Sequence, residues 1–169
     1  SLRRQRQMCI RDRDRGAKKV YGMLYGIQGL LEERVVDLSE HIRSDLDIDL
    51  LKRTPSSFLG SCRYKLPPIK GNTEVYDKIF EILEKLEVEY FFYIGGNDSM
   101  DTALKLSQYA ASIGSDVRVI GVPKTIDNDL CLTDHTPGFG SAAKYIASTI
   151  LEIAHDTFSY PVPVSYTHL

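Results

Sequence analysis

No run in this 169-residue chain is long and apolar enough to cross a membrane, and no secretory signal pattern is present. Cysteine is scarce. There are three, and none has a neighbour at metal-ligand spacing. Cys62 and Cys131 read as unpaired thiols in a reducing cytoplasm, which argues against a disulfide framework. Internal repeats and low-complexity tracts are absent, which excludes a repeat array. A basic stripe is also missing once the ends are set aside.

The ends read as foreign to the fold. Taken as codons GTC TCT TAT ACA CAT, the string VSYTH (164–168) is the reverse complement of DNA encoding MCIRD, which stands at 8–12. Reverse-complementary ends point to a sequencing adapter on both sides of a DNA fragment. RRQRQMCIRDR (3–13) also fits translation of a transposase adapter. Residues 1–13 and 164–169 are therefore assigned to adapter-derived tails, and 14–163 to protein. The net charge is −2. The first 13 residues hold five arginines and one aspartate, so the rest of the chain carries −6. The arginines would otherwise suggest nucleic acid. Without them no nucleic-acid partner is expected.

The remaining composition is ordinary for one globular domain. Residues 18–25 read as a strand followed by a Gly-containing loop. Helical patterning over 38–51 breaks at Ser44 and Asp45. Residues 55–70 form a loop rich in Ser, Gly and Pro. Asn72 or Thr73 can cap a helix whose Val75, Ile79, Ile82, Leu83 and Leu86 share one face. A buried-type strand at 90–94 is followed by a helix over 99–113, stopped by Gly114. A strand at 117–122 and a long helix at 139–154 follow. Phe139, Ala143, Ile146, Ile150 and Ile153 of that helix are expected to face inward. A last strand starts near Tyr160. The alternation predicts an α/β fold: three layers, a mostly parallel sheet with helices on both faces, Rossmann-like, and an incomplete domain.

Two loops then carry the chemistry. GGNDSMDT (95–102) and PKTIDNDL (123–130) each follow an apolar strand run. Both should emerge at the carboxyl edge of the sheet, where α/β folds place ligands. Gly95 and Gly96 entering a helix suit a phosphate, because backbone N–H groups can approach it closely. Alone, the pair would be an ordinary turn. Ser99 can cap the helix and present its N–H to the same anion. Asp127, Asn128 and Asp129 alone could be an Asx turn. With Lys124 and Thr125 they offer a charge clamp, a hydroxyl, a base and a metal contact.

Together these loops resemble the phosphofructokinase family, whose donor loop reads GGDGS or GGDDS and whose catalytic loop reads TIDND. FLGSCR (58–63) is similar to its FLGS-x-R stretch, and TDHTPGFGSA (133–142) to its TD-x-T-x-GF segment. The resemblance covers about 18–161. It implies that Asp127 takes the proton from the 1-hydroxyl of fructose 6-phosphate. Thr125, Ile126, Asp127 and Asp129 would line the sugar-phosphate site. Arg63, Gly95, Gly96, Asp98, Ser99 and Lys124 would bind the donor's phosphates, with Lys124 also catalytic. Mg²⁺ would meet Asn97 and Asp129, although many members carry Asp where Asn97 stands, so one charge is lost.

Asp98 and Lys124 replace glycines of the ATP-using branch and match the pyrophosphate-using branch. Asp98 would repel the α-phosphate of ATP, and Lys124 would serve the compact pyrophosphate. The implied activity is phosphoryl transfer from pyrophosphate to fructose 6-phosphate in glycolysis, by a cytoplasmic homo-oligomer. ATP as donor is the alternative. A regulatory subunit without catalysis is a reading of another class, prompted by Asn97 and opposed by the intact TIDND. A lipid or NAD kinase could share the glycine loop but not TIDND.

Overall fold

The computed structural model describes residues 18–54 and 56–161. The assigned tails, 1–13 and 164–169, lie outside them. The described chain divides into two compact units, the first ending at Lys124 and the second starting at Thr125.

In the first unit, β1 (Tyr21–Met23) pairs antiparallel with β2 (Val35–Asp37), Gly22 opposite Val36. Between them runs α1 (Gly26–Leu31). The sequence reading placed a Gly-containing loop after the first strand, and the short helix stands there instead. The turn into α1 needs positive φ at Tyr25 and Gly26, and such a turn reads locally as a loop. Two short helices follow, α2 (Leu38–His41) and α3 (Asp45–Arg53). The break falls where Ser44 suggests it. Ser44 Oγ accepts from Asp47 N–H, and the Asp47 carboxylate accepts from Ser44 N–H in return. This reciprocal capping starts α3 afresh.

α4 (Thr73–Lys85) buries Tyr76, Ile79, Phe80, Ile82 and Leu83. That stripe is the centre of the core, packed with Ile27, Leu30, Leu66, Phe91, Leu106 and Tyr109. Complete burial of one such aliphatic side chain is worth roughly 1.5–3 kcal/mol. Asn72 occupies the N-cap position but does not cap. Its amide donates to the carbonyls of Pro68 and Lys70 and so closes the preceding turn.

β3 (Tyr90–Gly95), α5 (Asn97–Ile113) and β4 (Arg118–Pro123) form a βαβ unit. The strands pair parallel, from Tyr90 opposite Arg118 to Gly95 opposite Pro123. Gly114, at φ 66°, ends α5 as expected. The helix starts two residues earlier than its pattern suggests. α5 lies close on β4: a Cβ on Gly121 would come within 2.9 Å of Met100 Sδ.

The second unit contains α6 (Phe139–Phe158). Its apolar residues do not face inward as the pattern predicts. Ile146, Ile150 and Ile153 are all more than half exposed. The periodicity marks a face built for burial, and the second unit by itself supplies no cover for it. Residues 159–161 form a turn and bend, so the strand expected near Tyr160 is not formed within the described chain.

Candidate functional site

In the first unit the paired strands bring the donor loop and Lys124 together. Gly95 ends β3, and Lys124 N–H donates to Gly95 O at 2.7 Å, one step past the last strand pair. Gly95 must be glycine for a local reason: a Cβ there would fall 2.7 Å from Ser99 Cβ and also strike its hydroxyl. Ser99 therefore folds back over the turn. Its N–H is engaged, donating to Gly96 O at 3.0 Å, so it is the hydroxyl and not the N–H that faces Gly95. Gly96 is the N-cap residue, in extended backbone without positive φ.

Asp98 stands in the first turn of α5, where the helix dipole favours a carboxylate. Its side chain is exposed and meets Lys65 Nζ at 3.4 Å. Its carbonyl accepts from Thr102 Oγ1 at 2.9 Å. Thr102 is buried and also hydrogen-bonds with Tyr93 of β3. Burial, reinforced by Cys62, pushes the Tyr93 phenol up to about 12, so it stays neutral under the loop. Arg63 lies exposed on the loop that leads to Lys65. That loop is pinned by Leu66, which is fully buried, and by Lys105 Nζ, which donates to Leu66 O at 3.3 Å and to Asp101 at 2.7 Å. Asn97 is the first residue of α5 and is exposed.

In the second unit the TIDND loop is organised around Thr125. Thr125 is buried, while Ile126, Asp127 and Asp129 are exposed. Thr125 Oγ1 accepts from Asp127 N–H at 3.1 Å and donates to Asp127 Oδ2 at 3.4 Å. Thr125 N–H donates to Pro137 O, and Thr136 Oγ1 donates to Thr125 O at 3.0 Å. Asn128 has φ 54°, a left-handed conformation that asparagine tolerates better than most residues. Its Oδ1 accepts from Thr136 N–H at 2.9 Å and its amide donates to Asp134 O at 3.1 Å. The central asparagine thus stitches the loop to 134–136. That frees Asp127 to point a carboxylate outward from a fixed backbone.

Sequence reading named Asn128 only as part of an Asx turn and did not single out Lys65 or Thr136. Only Asn128 had a local signal, the Asx-turn propensity. Thr136 and Lys65 act across 11 and 33 residues of chain.

Among the described residues, no three His, Cys, Asp or Glu side chains cluster to hold a metal. Asn97 and Asp129 each offer an oxygen donor of the type Mg²⁺ prefers. Mg²⁺ commonly takes only one or two protein ligands and fills the rest with phosphate and water.

The family model described as Phosphofructokinase matches residues 5–162. The chain is 46% identical over 153 residues to a pyrophosphate–fructose 6-phosphate 1-phosphotransferase of Halomonas elongata, covering 90% of this chain and 36% of that protein. A protein of the same description from Xanthomonas campestris is 49% identical over 138 residues, covering 82% and 32%. The crystal structure of the pyrophosphate-dependent phosphofructokinase of Nitrosospira multiformis matches with a TM-score of 0.82 at 40% identity, covering 94% of this chain and 38% of that one. The chain spans about a third of the length of these curated relatives.

Proposed function

This chain belongs to the phosphofructokinase family, and from that premise we propose that the full-length polypeptide carrying it transfers a phosphoryl group from pyrophosphate to fructose 6-phosphate. The bridging P–O bond of pyrophosphate breaks, and the products are fructose 1,6-bisphosphate and orthophosphate. The observation that carries the reading is the pairing of β3 and β4, which sets Asp98, on the helix after the glycine turn, and Lys124, one residue past β4, at the same end of two parallel strands. Relatives at 46% and 49% identity whose names specify pyrophosphate support it.

The residues divide the work. Gly95 and Gly96 let the donor's phosphates approach the backbone, and Arg63 and Lys124 neutralise them. Asp98 turns away the longer donor by like charge. Asp127 accepts the proton of the sugar's 1-hydroxyl as that oxygen attacks the transferring phosphorus. Thr125 holds Asp127 in place, and Ile126 and Asp129 line the sugar-phosphate side. Asn97 and Asp129 would each offer an oxygen to Mg²⁺, which would supply charge neutralisation for the transferring group. The enzyme works as a cytoplasmic homo-oligomer.

The test is product formation by the full-length protein, with fructose 6-phosphate and Mg²⁺ supplied and either pyrophosphate or ATP as donor. Fructose 1,6-bisphosphate from pyrophosphate is expected. Product from ATP alone would reassign the donor, and product from neither would favour a regulatory subunit.

A further inference from the structure

We propose that Lys65 is the counter-charge of Asp98 and a pyrophosphate-binding residue of the donor site, an assignment that rests on the function proposed above. Asp98 by itself presents a problem. A carboxylate in the first turn of α5 repels every phosphate that approaches the glycine turn, pyrophosphate included. Lys65 Nζ stands 3.4 Å from Asp98 Oδ1, so the two together carry no net charge. The small donor can then sit beside the pair, with the ammonium toward it and the carboxylate held in the space a nucleotide's third phosphate needs.

The position of Lys65 is built and not incidental. The next residue, Leu66, is fully buried in the core, and its carbonyl is held by Lys105, itself paired with Asp101 one turn along α5. The loop is thus fastened to the same helix that carries Asp98. The ion pair itself is solvent-exposed on both sides, so it contributes little to folding. Substituting Lys65 therefore tests function without unfolding the protein.

The experiment uses the full-length polypeptide and steady-state kinetics with pyrophosphate, in wild type, Lys65→Met, Lys65→Arg, Asp98→Asn and the Lys65→Met/Asp98→Asn double variant. Lys65→Met should raise KM for pyrophosphate roughly five- to tenfold, the scale of one surface charge contact, with kcat and melting temperature near wild type. Lys65→Arg should keep most of the affinity. With Asp98 neutralised, the same Lys65→Met change should cost less, about two- to threefold, because only the direct contact with pyrophosphate is lost and no repulsion is exposed. A Lys65→Met enzyme with an unchanged KM would overturn the assignment alone. An equal loss in both backgrounds would overturn the pairing with Asp98. A wild type that makes no product from pyrophosphate would overturn the proposed function and this assignment with it.

Discussion

Lys124 and Gly95 are joined by a backbone hydrogen bond of 2.7 Å, so the charged residue of one loop is fixed against the glycine turn of the other. Parallel strand pairing alone achieves this. β3 and β4 run in register to Gly95 and Pro123, and the next amide in line is that of Lys124. A donor phosphate bound at the turn, as proposed, would find the backbone of Lys124 anchored beside it by the sheet.

Asp127 carries the central chemical role in the account. Replacing it with Ser should lower kcat by roughly a hundredfold or more, the usual scale for losing a positioned base. KM for pyrophosphate should move little. Near-wild-type turnover would remove Asp127 from the mechanism.

Thr125 should act through Asp127. Its hydroxyl both accepts the Asp127 N–H and donates to the carboxylate. Thr125→Val keeps the shape and removes both bonds, so kcat should fall about tenfold, while Thr125→Ser should retain most activity. A Thr125→Val enzyme with near-wild-type kcat would show that the hydroxyl does not act.

Gly95 tests the geometry of the turn. A Cβ at this position collides with Ser99, and overpacking of this kind costs typically 1–3 kcal/mol. Gly95→Ala should lower the melting temperature and weaken pyrophosphate binding together. Adding Ser99→Gly removes the obstructing side chain and should restore part of both, a recovery that calorimetry would detect.

Tyr93 predicts an alkaline limit. Its phenol titrates at about 12 in the folded protein, above the roughly 10 of an unfolded chain. The neutral form is the one the fold favours. Its contribution is complete below about pH 10 and is lost as pH rises toward 12. Denaturant titrations across that window should show falling stability in wild type and a shallower fall in Tyr93→Phe. Parallel pH profiles would rule out Tyr93 as the source.

Much of this was legible in the sequence, and the limits have physical causes. The βαβ unit was readable because FFYI and VRVIGV are apolar runs bounded by glycine, and α4 because its apolar residues recur at helical spacing. Ser44 announced its own helix start. β2 was not readable: three residues, Val35–Asp37, carry no period of their own and become a strand only by pairing with Tyr21–Met23. The stripe on α6 was read correctly as apolar and wrongly as covered, since periodicity reports what a face suits and not whether a partner is there. For the proposed site, the motif strings pointed to Asp98, Lys124 and Asp127. Lys65 was invisible, because its meaning comes from an aspartate 33 residues away.

The donor preference is the claim on which the account stands or falls. The most direct measurement is kcat/KM for pyrophosphate and for ATP in the full-length wild type and in Asp98→Gly. The wild type should strongly prefer pyrophosphate. Asp98→Gly should admit ATP, narrowing the preference by about tenfold or more as the carboxylate is removed from the donor site. A wild type that prefers ATP, or an Asp98→Gly enzyme whose donor ratio is unchanged, would contradict it.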